Sequence, residues 1–438
     1  MSNFLNGEAL YRRAKEIIPG GNSLLSKRPE MFLPNGWPNY FTSASGIKVR
    51  DLDNHEFIDF SIMGIGTNTL GYGDAFVDDA VLRTVKSGNM STLNPPEEPE
   101  LAEMLLSIHA WAGGVKFART GGEANAIAIR IARAATGRDG VAICGYHGWH
   151  DWYLSSNISD NNALDEHLLA GLSTLGVPRK FKGLTKTFRY GNISEFEEVI
   201  KDSDIGTIMM EVSRTHEANL EFLKHIRTRC SELGIVLIFD ECTSGFRENF
   251  GGIHLKHQIE PDLIMLGKAL GNGYAINAVV GKREIMSFAE KTFISSTFWT
   301  ERIGPSAAIA TLKRMNNLKS WEILTENSIY IRKKLARAFE SHQIAATFSG
   351  LQPLISFQFQ HPEFQAIKTY LTQEMLSKGY LASNLIVVST QHTRIETDKY
   401  LEALDPVLKS ISEIIHGENS INNLLKYPTS HSGFQRLN

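Results

Sequence analysis

The amino-acid sequence predicts an α/β protein whose larger domain contains a mostly parallel β-sheet. From about residue 71 to residue 290, short apolar segments alternate with helical segments. Alternation of this kind is typical of parallel strands that are joined by crossover helices. After Pro305 the sequence changes to long helices with few strands, which indicates a second, smaller domain. A chain of 438 residues is long enough for two or three domains.

The elements can be assigned in order along the chain. Residues 7–18 predict a helix that ends at Pro19-Gly-Gly21 and that presents Leu10, Ala14 and Ile17–Ile18 on one face. Two strands, 46–51 and 56–60, flank a turn at Asp53-Asn54. We assign residues 1–70 to an N-terminal segment of the small domain and residues 71–305 to the large domain. Residues 306–416 form the rest of the small domain, and residues 417–438 form a polar tail.

The strands of the large domain are predicted by short apolar segments. Examples are Val115–Ala118, Val141–Cys144, Thr207–Met210, Gly234–Glu241 and Leu263–Leu266. Their lengths suit strands that are buried on both faces of a sheet.

Composition excludes several classes of protein. A net charge of −3 and a pI near 6.5 give no support for a partner that is a nucleic acid or an anionic membrane. The cysteines Cys144, Cys230 and Cys242 are too few and too scattered for a disulfide framework or a zinc site, so we expect no metal. The first residues lack the basic and apolar segments of a signal peptide, and no apolar stretch approaches the ~20 residues that span a bilayer. The sequence therefore predicts a cytoplasmic protein.

A lysine and an aspartate follow two of these predicted strands. Lys268 comes after the apolar segment Leu263–Leu266, in a glycine-rich bend, and Asp240 comes near the end of Gly234–Glu241. A lysine nucleophile beside a carboxylate is what pyridoxal 5′-phosphate (PLP) requires. The lysine forms a Schiff base with the cofactor aldehyde, and the carboxylate keeps the pyridine nitrogen protonated. The alternative is an ordinary surface lysine after a strand.

Two further loops fit the binding of a phosphorylated cofactor. Thr120-Gly121-Gly122 follows the strand at Val115–Ala118 and opens a helix, and helix N-termini bind anions through free N–H groups. Tyr146 follows the strand at Val141–Cys144, where an aromatic ring could lie flat on the ring of a cofactor. The alternatives are a plain strand–helix turn and core packing.

The segments together resemble the class III, fold type I aminotransferases, most closely the glutamate-1-semialdehyde aminomutase branch. The resemblance runs from Leu10 to about Leu408. It is carried by Ala14-Lys-Glu-Ile-Ile-Pro-Gly-Gly21, Val49-Arg-Asp-Leu-Asp-Asn-His-Glu-Phe-Ile-Asp59, Thr120-Gly-Gly-Glu-Ala-Asn-Ala-Ile-Ala-Ile-Arg-Ile-Ala-Arg133, Phe239-Asp-Glu-Cys-Thr-Ser-Gly-Phe-Arg247 and Leu266-Gly-Lys-Ala-Leu-Gly-Asn-Gly273. It implies a large domain with a mostly parallel, seven-stranded type of sheet and a small α+β domain made from both chain ends.

The resemblance also implies roles for the loop residues that match its motifs. Lys268 would hold PLP and act as the base that moves the proton, and Asp240 would pair with the pyridine nitrogen. Thr120, Gly121 and Gly122 would contact the phosphate.

Other matched positions would complete the cofactor site. Tyr146 would cover one face of the ring and Cys242 the other. Glu211 matches an acidic residue near the cofactor. Thr297 matches a threonine by which a neighbouring subunit reaches the phosphate, which implies a homodimer with shared active sites.

Departures from the branch bear on the substrate. Ser23 and Ser26 are candidate substrate contacts, and Ser26 falls where aminomutases have an arginine that fits a substrate carboxylate. Lys27 or Arg28 could replace that arginine only through a register shift. Gly122 replaces a hydroxyl residue of the phosphate loop.

The remaining departures concern aromatic and charged residues. Trp149 and Trp152 replace smaller residues after Tyr146-His147-Gly148, and indole faces suit the apolar faces of sugars; His147 is a further candidate contact. Arg394 replaces a glutamate near the C-terminus.

These departures favour an intermolecular transaminase that acts on an oxo-sugar, with L-glutamate as a plausible donor. The expected pathway is the biosynthesis of an amino sugar, a surface glycan or an aminoglycoside-type compound. A glutamate-1-semialdehyde 2,1-aminomutase and a fold-type-I binding protein without catalysis are the alternatives. The alternative for the tryptophans is core packing, with Lys27, Arg28 or Arg394 supplying the missing charge.

Overall fold

The computed structural model describes residues 4–160, 162–167 and 170–433. The chain divides into two compact units: Met1–Asp74 with Glu322–Asn438, and Ala75–Trp321. Across the described ranges, every helix is too short or too polar to cross a membrane.

The strands are numbered in chain order. Within the described residues they are β1 (Phe41–Ser45), β2 (Lys48–Asp51), β3 (Glu56–Phe60), β4 (Gly114–Ala118), β5 (Gly140–Cys144), β6 (Thr185–Thr187), β7 (Ile205–Glu211), β8 (Val236–Asp240), β9 (Leu263–Leu266), β10 (Asn277–Gly281), β11 (Ala346–Ser349), β12 (Leu354–Phe359), β13 (Tyr380–Ala382) and β14 (Leu385–Val387).

The α-helices are numbered in the same way. They are α1 (Leu5–Ile17), α2 (Met63–Gly66), α3 (Ala75–Lys86), α4 (Glu97–Ile108), α5 (Gly121–Thr136), α6 (Asp151–Leu154), α7 (Ser156–Ser159), α8 (Ile193–Val199), α9 (Leu220–Leu233), α10 (Ile253–His257), α11 (Arg283–Met286), α12 (Ile303–Leu318), α13 (Ser320–Ser341), α14 (Phe364–Ser377), α15 (Arg394–Ile415) and α16 (Ile421–Leu424).

The second unit, Ala75–Trp321, is built on a seven-stranded sheet in the order β4-β10-β9-β8-β7-β5-β6. Strands β9, β8, β7, β5 and β6 pair in parallel, and β10 is antiparallel to both of its neighbours. Every residue of β5, β7, β8, β9 and β10 is buried, as expected for strands covered by helices on both faces. The predicted α/β class with a mostly parallel sheet is confirmed.

The first unit contains two small sheets, in the orders β1-β2-β3-β13 and β11-β12-β14. The predicted pair of strands around Asp53-Asn54 is present as β2 and β3, which are antiparallel. Phe60 and Tyr400 stack in the core of this unit with ring centroids 4.2 Å apart. Parallel stacking of two buried aromatic rings contributes to the packing between β3 and α15.

Helix α1 forms close to its predicted position, but only Ala14 of its predicted apolar face is buried. Its buried residues are Gly7, Tyr11 and Ala14. Leu10, Ile17 and Ile18 are exposed. On the buried face, the Tyr11 phenol donates a hydrogen bond to Glu30 at 2.9 Å.

Two expectations about the later part of the chain also differ from the structure. The change of unit falls between Trp321 and Glu322 rather than at Pro305. Pro305 lies in the first turn of α12, where the missing N–H costs no helical hydrogen bond. The polar tail is ordered over its described part, up to residue 433. Ile421 is buried in the core, and the Ser430 hydroxyl bonds to the Thr369 hydroxyl at 2.9 Å.

Candidate active site

The predicted cofactor residues of the second unit gather at one edge of the seven-stranded sheet. The carboxyl ends of parallel strands meet at the same edge, and β4, β5, β7, β8 and β9 all run in one direction. Asp240 ends β8, and Glu211 ends β7 directly beside it in register. Lys268 and Tyr146 follow β9 and β5 closely.

Asp240 is buried and held by three donors. Its Oδ2 accepts hydrogen bonds from Nδ1 of His147 at 2.9 Å and from Nδ2 of Asn125 at 3.0 Å. Its Oδ1 accepts the backbone N–H of Cys242 at 3.1 Å. Burial alone would raise the pKa of this carboxyl, but the hydrogen bond and charge of His147, with the other two donors, outweigh it and lower the pKa. Asp240 is therefore an anion at neutral pH.

Lys268 begins a 3₁₀ turn, Lys268–Gly271, immediately after Gly267. Its φ of 43° lies in the left-handed region, which few non-glycine residues adopt and which often marks functional positions. Its Nζ donates a hydrogen bond to Oγ1 of Thr243 at 2.7 Å. Burial lowers the pKa of the ammonium, and the positive charge of Arg214 acts in the same direction. Both effects favour the neutral, nucleophilic amine.

The loop after β4 leads into α5 through a capping box. Thr120 is the N-cap: its Oγ1 accepts the N–H of Glu123 at 3.3 Å, and Oε2 of Glu123 accepts the N–H of Thr120 at 2.9 Å. The N–H groups of Gly121 and Gly122 come next, in the first turn, and have no acceptor within the helix. These groups and the positive end of the helix dipole form an anion site.

His150 lies against this loop. A Cβ built on Gly122 would lie 2.5 Å from Cε1 and 2.7 Å from Nδ1 of His150, so the imidazole occupies the space of a side chain at position 122. The Nδ1 atom of His150 is buried and has no hydrogen-bond partner among the described residues. Burial lowers the pKa of this ring, which favours its neutral form.

Glu211 joins Tyr146 to Arg214. Its Oε2 accepts the backbone N–H of Tyr146 at 3.1 Å, and its two carboxylate oxygens lie 3.1 and 3.3 Å from Nη1 of Arg214. The guanidinium of Arg214 lies 5.7 Å from the centroid of the Tyr146 ring. Burial raises the pKa of the Tyr146 phenol, so the ring remains neutral.

Cys242 lies between two glycines and an asparagine. A Cβ on Gly121 would lie 3.4 Å from its Sγ, and a Cβ on Gly267 would lie 2.8 Å from it. Oδ1 of Asn277, the first residue of β10, is 3.7 Å from the same sulfur. Burial raises the pKa of the thiol to about 11, so Cys242 is uncharged and presents a small apolar surface.

The segment that contains Thr297 is anchored close to the phosphate loop. Thr297 is exposed and begins a 3₁₀ turn, Thr297–Thr300. Arg119, which precedes Thr120, donates to the carbonyl oxygens of Trp299 and Glu301, each at 2.9 Å, and pairs with the carboxylate of Glu301 at 2.8 Å.

The two candidate tryptophans have different environments. Trp149 is 71% exposed and packs on His150, with ring centroids 4.7 Å apart. Trp152 is buried in the core of the unit and stacks with His147 at 6.5 Å. The predicted stacking of Trp152 on a substrate is therefore not supported, because its indole is used in core packing.

The other candidate substrate residues belong to the first unit. Ser23 is exposed, and Ser26 is half-buried in the 3₁₀ turn Leu25–Lys27. Arg394 is exposed at the start of α15, where its guanidinium lies 5.3 Å from the ring centroid of Tyr330.

Comparison with known proteins identifies the family of this site. The family model described as aminotransferase class-III matches residues 35–404. The chain belongs to the class-III aminotransferases. These enzymes depend on PLP, so the chain is a PLP-dependent transaminase by family.

Relatives within the family act on different substrates. The chain is 31% identical to 3-aminobutyryl-CoA aminotransferase of Cloacimonas acidaminovorans (strain Evry), over 80% of this chain and 83% of the relative. It is 29% identical to glutamate-1-semialdehyde 2,1-aminomutase of Ignicoccus hospitalis, over 92% and 99%. It is 26% identical to 2′-deamino-2′-hydroxyneamine transaminase of Streptomyces kanamyceticus, over 84% and 91%.

A solved structure agrees with the fold of this aminotransferase. The FumI protein of Sphingopyxis sp. MTA144 superimposes with a TM-score of 0.85 at 24% identity, covering 96% of this chain and all of that one. The fold type I architecture is thereby confirmed. The family match and the aminomutase relative confirm the suspected branch, while the spread of substrates among the relatives leaves the substrate open.

The residues of the aminotransferase fit the cofactor of its family. The aldehyde of PLP requires an amine, and the lowered pKa of Lys268 favours its neutral amine. The pyridine nitrogen requires an ionised carboxylate, which the buried Asp240 supplies. The phosphate requires an anion site, which the N-terminus of α5 supplies. Gly267 leaves no room for a side chain beside Cys242 and Asn277.

Sequence reasoning missed several polar residues of this site: Asn125, Thr243, Arg119 and Arg214. Asn125 had a usable signal, because it is a polar residue within the buried face of α5. Arg214 had none, because its position depends on a loop whose course the sequence does not reveal.

Proposed function

We propose that this aminotransferase moves an amino group from an amino-acid donor, with L-glutamate as the expected donor, to an oxo-sugar or a similar hydroxylated carbonyl compound. The proposed context is the biosynthesis of an amino sugar, a glycan or an aminoglycoside-type compound. The three cysteines are all unpaired, which fits action in the reducing cytoplasm.

The observation that carries this proposal is the exposed indole of Trp149 beside the anion site. Trp149 packs on His150, and His150 packs on Gly122, which is a proposed phosphate contact. An exposed aromatic face therefore lies near the proposed phosphate site. Indole faces suit the apolar faces of sugar rings. The relative named 2′-deamino-2′-hydroxyneamine transaminase supports the same substrate class.

The second support is the hydroxyl of Ser26 in place of an arginine. A buried carboxylate of a semialdehyde substrate needs a paired positive charge, which an arginine supplies with matching geometry. Ser26 offers only a neutral hydroxyl, so a carboxylate at that position would be bound more weakly by a few kcal/mol, on the order of the difference between charged and neutral hydrogen bonds.

The proposed chemistry assigns a distinct task to each residue. When bound, PLP supplies the aldehyde that takes up the amino group and the ring that accepts electron density. Nζ of Lys268 would hold the cofactor through its aldehyde and, as a neutral amine, would move a proton at the substrate carbon that bears nitrogen. Asp240 holds a proton on the pyridine nitrogen through its ionised carboxylate.

The remaining assignments concern binding. Thr120, Gly121 and Gly122 bind the phosphate through one hydroxyl and two backbone N–H groups. Tyr146 and Cys242 would enclose the cofactor ring between a phenol and a thiol, which would exclude water from the reacting atoms.

We also propose a homodimer in which Thr297 of each protomer contacts the phosphate bound by its partner. Thr297 is exposed, and so are nearby large apolar residues: Leu93, at 81%, and Phe293 and Phe298, at 82% and 67%. Exposed apolar surface of this kind is typical of protein–protein interfaces.

A glutamate-1-semialdehyde 2,1-aminomutase is the second candidate. It is favoured by relatives of that name which cover 92% of this chain. An aminomutase returns the nitrogen to the same carbon skeleton, so it needs no external amino donor. The third alternative, a binding protein without catalysis, is set aside because the chain belongs to a family of transaminases.

One assay separates the two candidates. The purified holoenzyme is incubated with glutamate-1-semialdehyde in the absence of any amino donor, and 5-aminolevulinate is measured. We expect negligible product, and we expect oxo-sugars to consume the amino group in the presence of L-glutamate. Efficient formation of 5-aminolevulinate without a donor would refute the proposed substrate class.

A further inference from the structure

A cavity of about 360 Å³ lies beside the candidate active site, within the second unit. Gly145, Glu211 and Arg214 are among the residues that line it. Gly145 precedes Tyr146, and Glu211 pairs in register with Asp240, so the cavity adjoins the residues that receive the cofactor. Cavities of this size hold small molecules.

Arg214 brings a positive charge to this cavity. The side chains of Arg214 and Glu211 are 16% and 10% exposed, and their ion pair uses Nη1 of the arginine. Within the part of the chain that the structure describes, the hydrogen bonds of the Arg214 side chain involve Nη1 alone. The N–H groups of Nε and Nη2 are therefore available to a ligand, and they lie on one planar fork that matches a carboxylate.

Neighbouring groups hold this fork toward the reacting centre. Glu211 is itself fixed by the backbone N–H of Tyr146 at 3.1 Å, and the guanidinium lies 5.7 Å from the Tyr146 ring centroid. The charge of Arg214 also contributes to the lowered pKa of the Lys268 ammonium, after the larger effect of burial. Arg214 and Lys268 thus belong to one electrostatic environment.

We infer that Arg214 binds the carboxylate of the amino-acid donor, in the subsite formed by Arg214, Glu211 and Tyr146. The inference rests on the proposed function only in that the donor is an amino acid. Such a donor carries a carboxylate next to its amine, and an arginine fork is the group best suited to hold it. The identity of the carbonyl acceptor has no part in the inference.

Arg189 supplies a matched control on the same cavity. It also lines the cavity, but its side chain is 58% exposed and is paired with Glu195 and Glu166. Loss of Arg189 changes the net charge of the cavity by the same amount as loss of Arg214. A general effect of charge would therefore appear in both variants.

Two measurements on the holoenzyme test the inference. The first is calorimetric binding of maleate, a dicarboxylate that cannot react. The second is a single turnover with L-glutamate or with benzylamine, which is an amine without a carboxylate. The reaction is monitored by the loss of the absorbance of bound PLP. No acceptor is present, so an effect on the glutamate reaction assigns the carboxylate to the donor.

For Arg214→Gln we expect maleate and L-glutamate to bind roughly 10- to 100-fold more weakly, because charge-assisted hydrogen bonds are lost. The affinity of Arg214→Lys should lie between those of Arg214→Gln and the parent enzyme. In these variants the L-glutamate reaction should lose roughly tenfold more than the benzylamine reaction, which uses no carboxylate contact. The maleate, L-glutamate and benzylamine measurements on Arg189→Gln should stay within about threefold of the parent enzyme, the range of an exposed charge.

Several outcomes would overturn the inference. It would be overturned if maleate failed to bind the parent enzyme, or if maleate bound Arg214→Gln as tightly as the parent. It would also be overturned if Arg214→Gln weakened the L-glutamate and benzylamine reactions equally. Failure of every oxo-sugar as an acceptor would instead refute the proposed function and leave the donor subsite intact.

Discussion

Nδ1 of His147 lies 2.9 Å from Oδ2 of Asp240, and both side chains are buried at the carboxyl edge of the large sheet. Because Nδ1 points at an ionised oxygen, this atom is the donor and the carboxylate is the acceptor. Asn125 donates to the same oxygen at 3.0 Å. His147 and Asn125 therefore fix both the orientation and the charge of the aspartate that is proposed to face the pyridine nitrogen.

Replacing His147 should weaken catalysis by acting on Asp240. In His147→Ala the carboxylate loses a hydrogen bond that lowers its pKa, so the pKa of Asp240 rises. Since activity needs the ionised form, the acid limb of the kcat/KM profile should move to higher pH, and kcat should fall roughly 10- to 100-fold. An acid limb at the parent pH, whatever the rate, would argue that His147 only packs.

Asp240→Asn should preserve the fold and remove the charge. Asparagine has nearly the same shape but cannot hold the pyridine nitrogen in its protonated form, so the rate of the amine half-reaction should fall on the order of 10²–10³-fold. Near-ultraviolet circular dichroism serves as the control for folding. A variant that is folded, binds PLP and reacts at the parent rate would contradict the proposed role.

Gly122→Ser should lower the affinity for PLP, because the imidazole of His150 occupies the space of the new side chain. We expect a Kd that is roughly tenfold higher, the cost of overpacking a tight contact. Adding His150→Ala removes the clash, so the double variant should bind PLP more tightly than Gly122→Ser alone. Additive losses in a fluorescence titration of PLP would contradict the packing described for this loop.

Thr297→Ala should weaken cofactor binding by about 1–3 kcal/mol if the hydroxyl contacts the phosphate across the dimer. The neighbouring Thr300→Ala is a suitable control, because its hydroxyl bonds to the carbonyl oxygen of Thr297 at 2.9 Å. Sedimentation analysis should show a dimer for the parent enzyme. A fully active monomer would remove the proposal of shared sites.

The sheet of the second unit could be predicted because its strands are short apolar segments with turns between them. Strand β6 was missed because its three residues, Thr185–Thr187, are too few and too polar to give a pattern. Strand β10 (Asn277–Gly281) was missed because it pairs antiparallel to both neighbours, whereas the alternation with helices predicts parallel strands. Pattern analysis identifies local propensity, whereas these two strands depend on their neighbours.

The candidate site could be predicted only where a side chain follows directly from a strand. Asp240 and Lys268 lie at or just after the ends of β8 and β9, so the topology alone brings them to one edge. The packing of Trp152 against His147 and the position of Arg214 depend on irregular loops. The sequence therefore indicates the reacting groups better than it indicates the groups that surround them.

Reduction of the holoenzyme with borohydride, followed by peptide mapping, tests the central claim most directly. Borohydride fixes PLP to the amine that holds it. We predict that the label lies on Lys268, whose lowered pKa and position after β9 favour bonding to the cofactor. A label on any other lysine, or multiple turnovers by Lys268→Ala, would contradict the account.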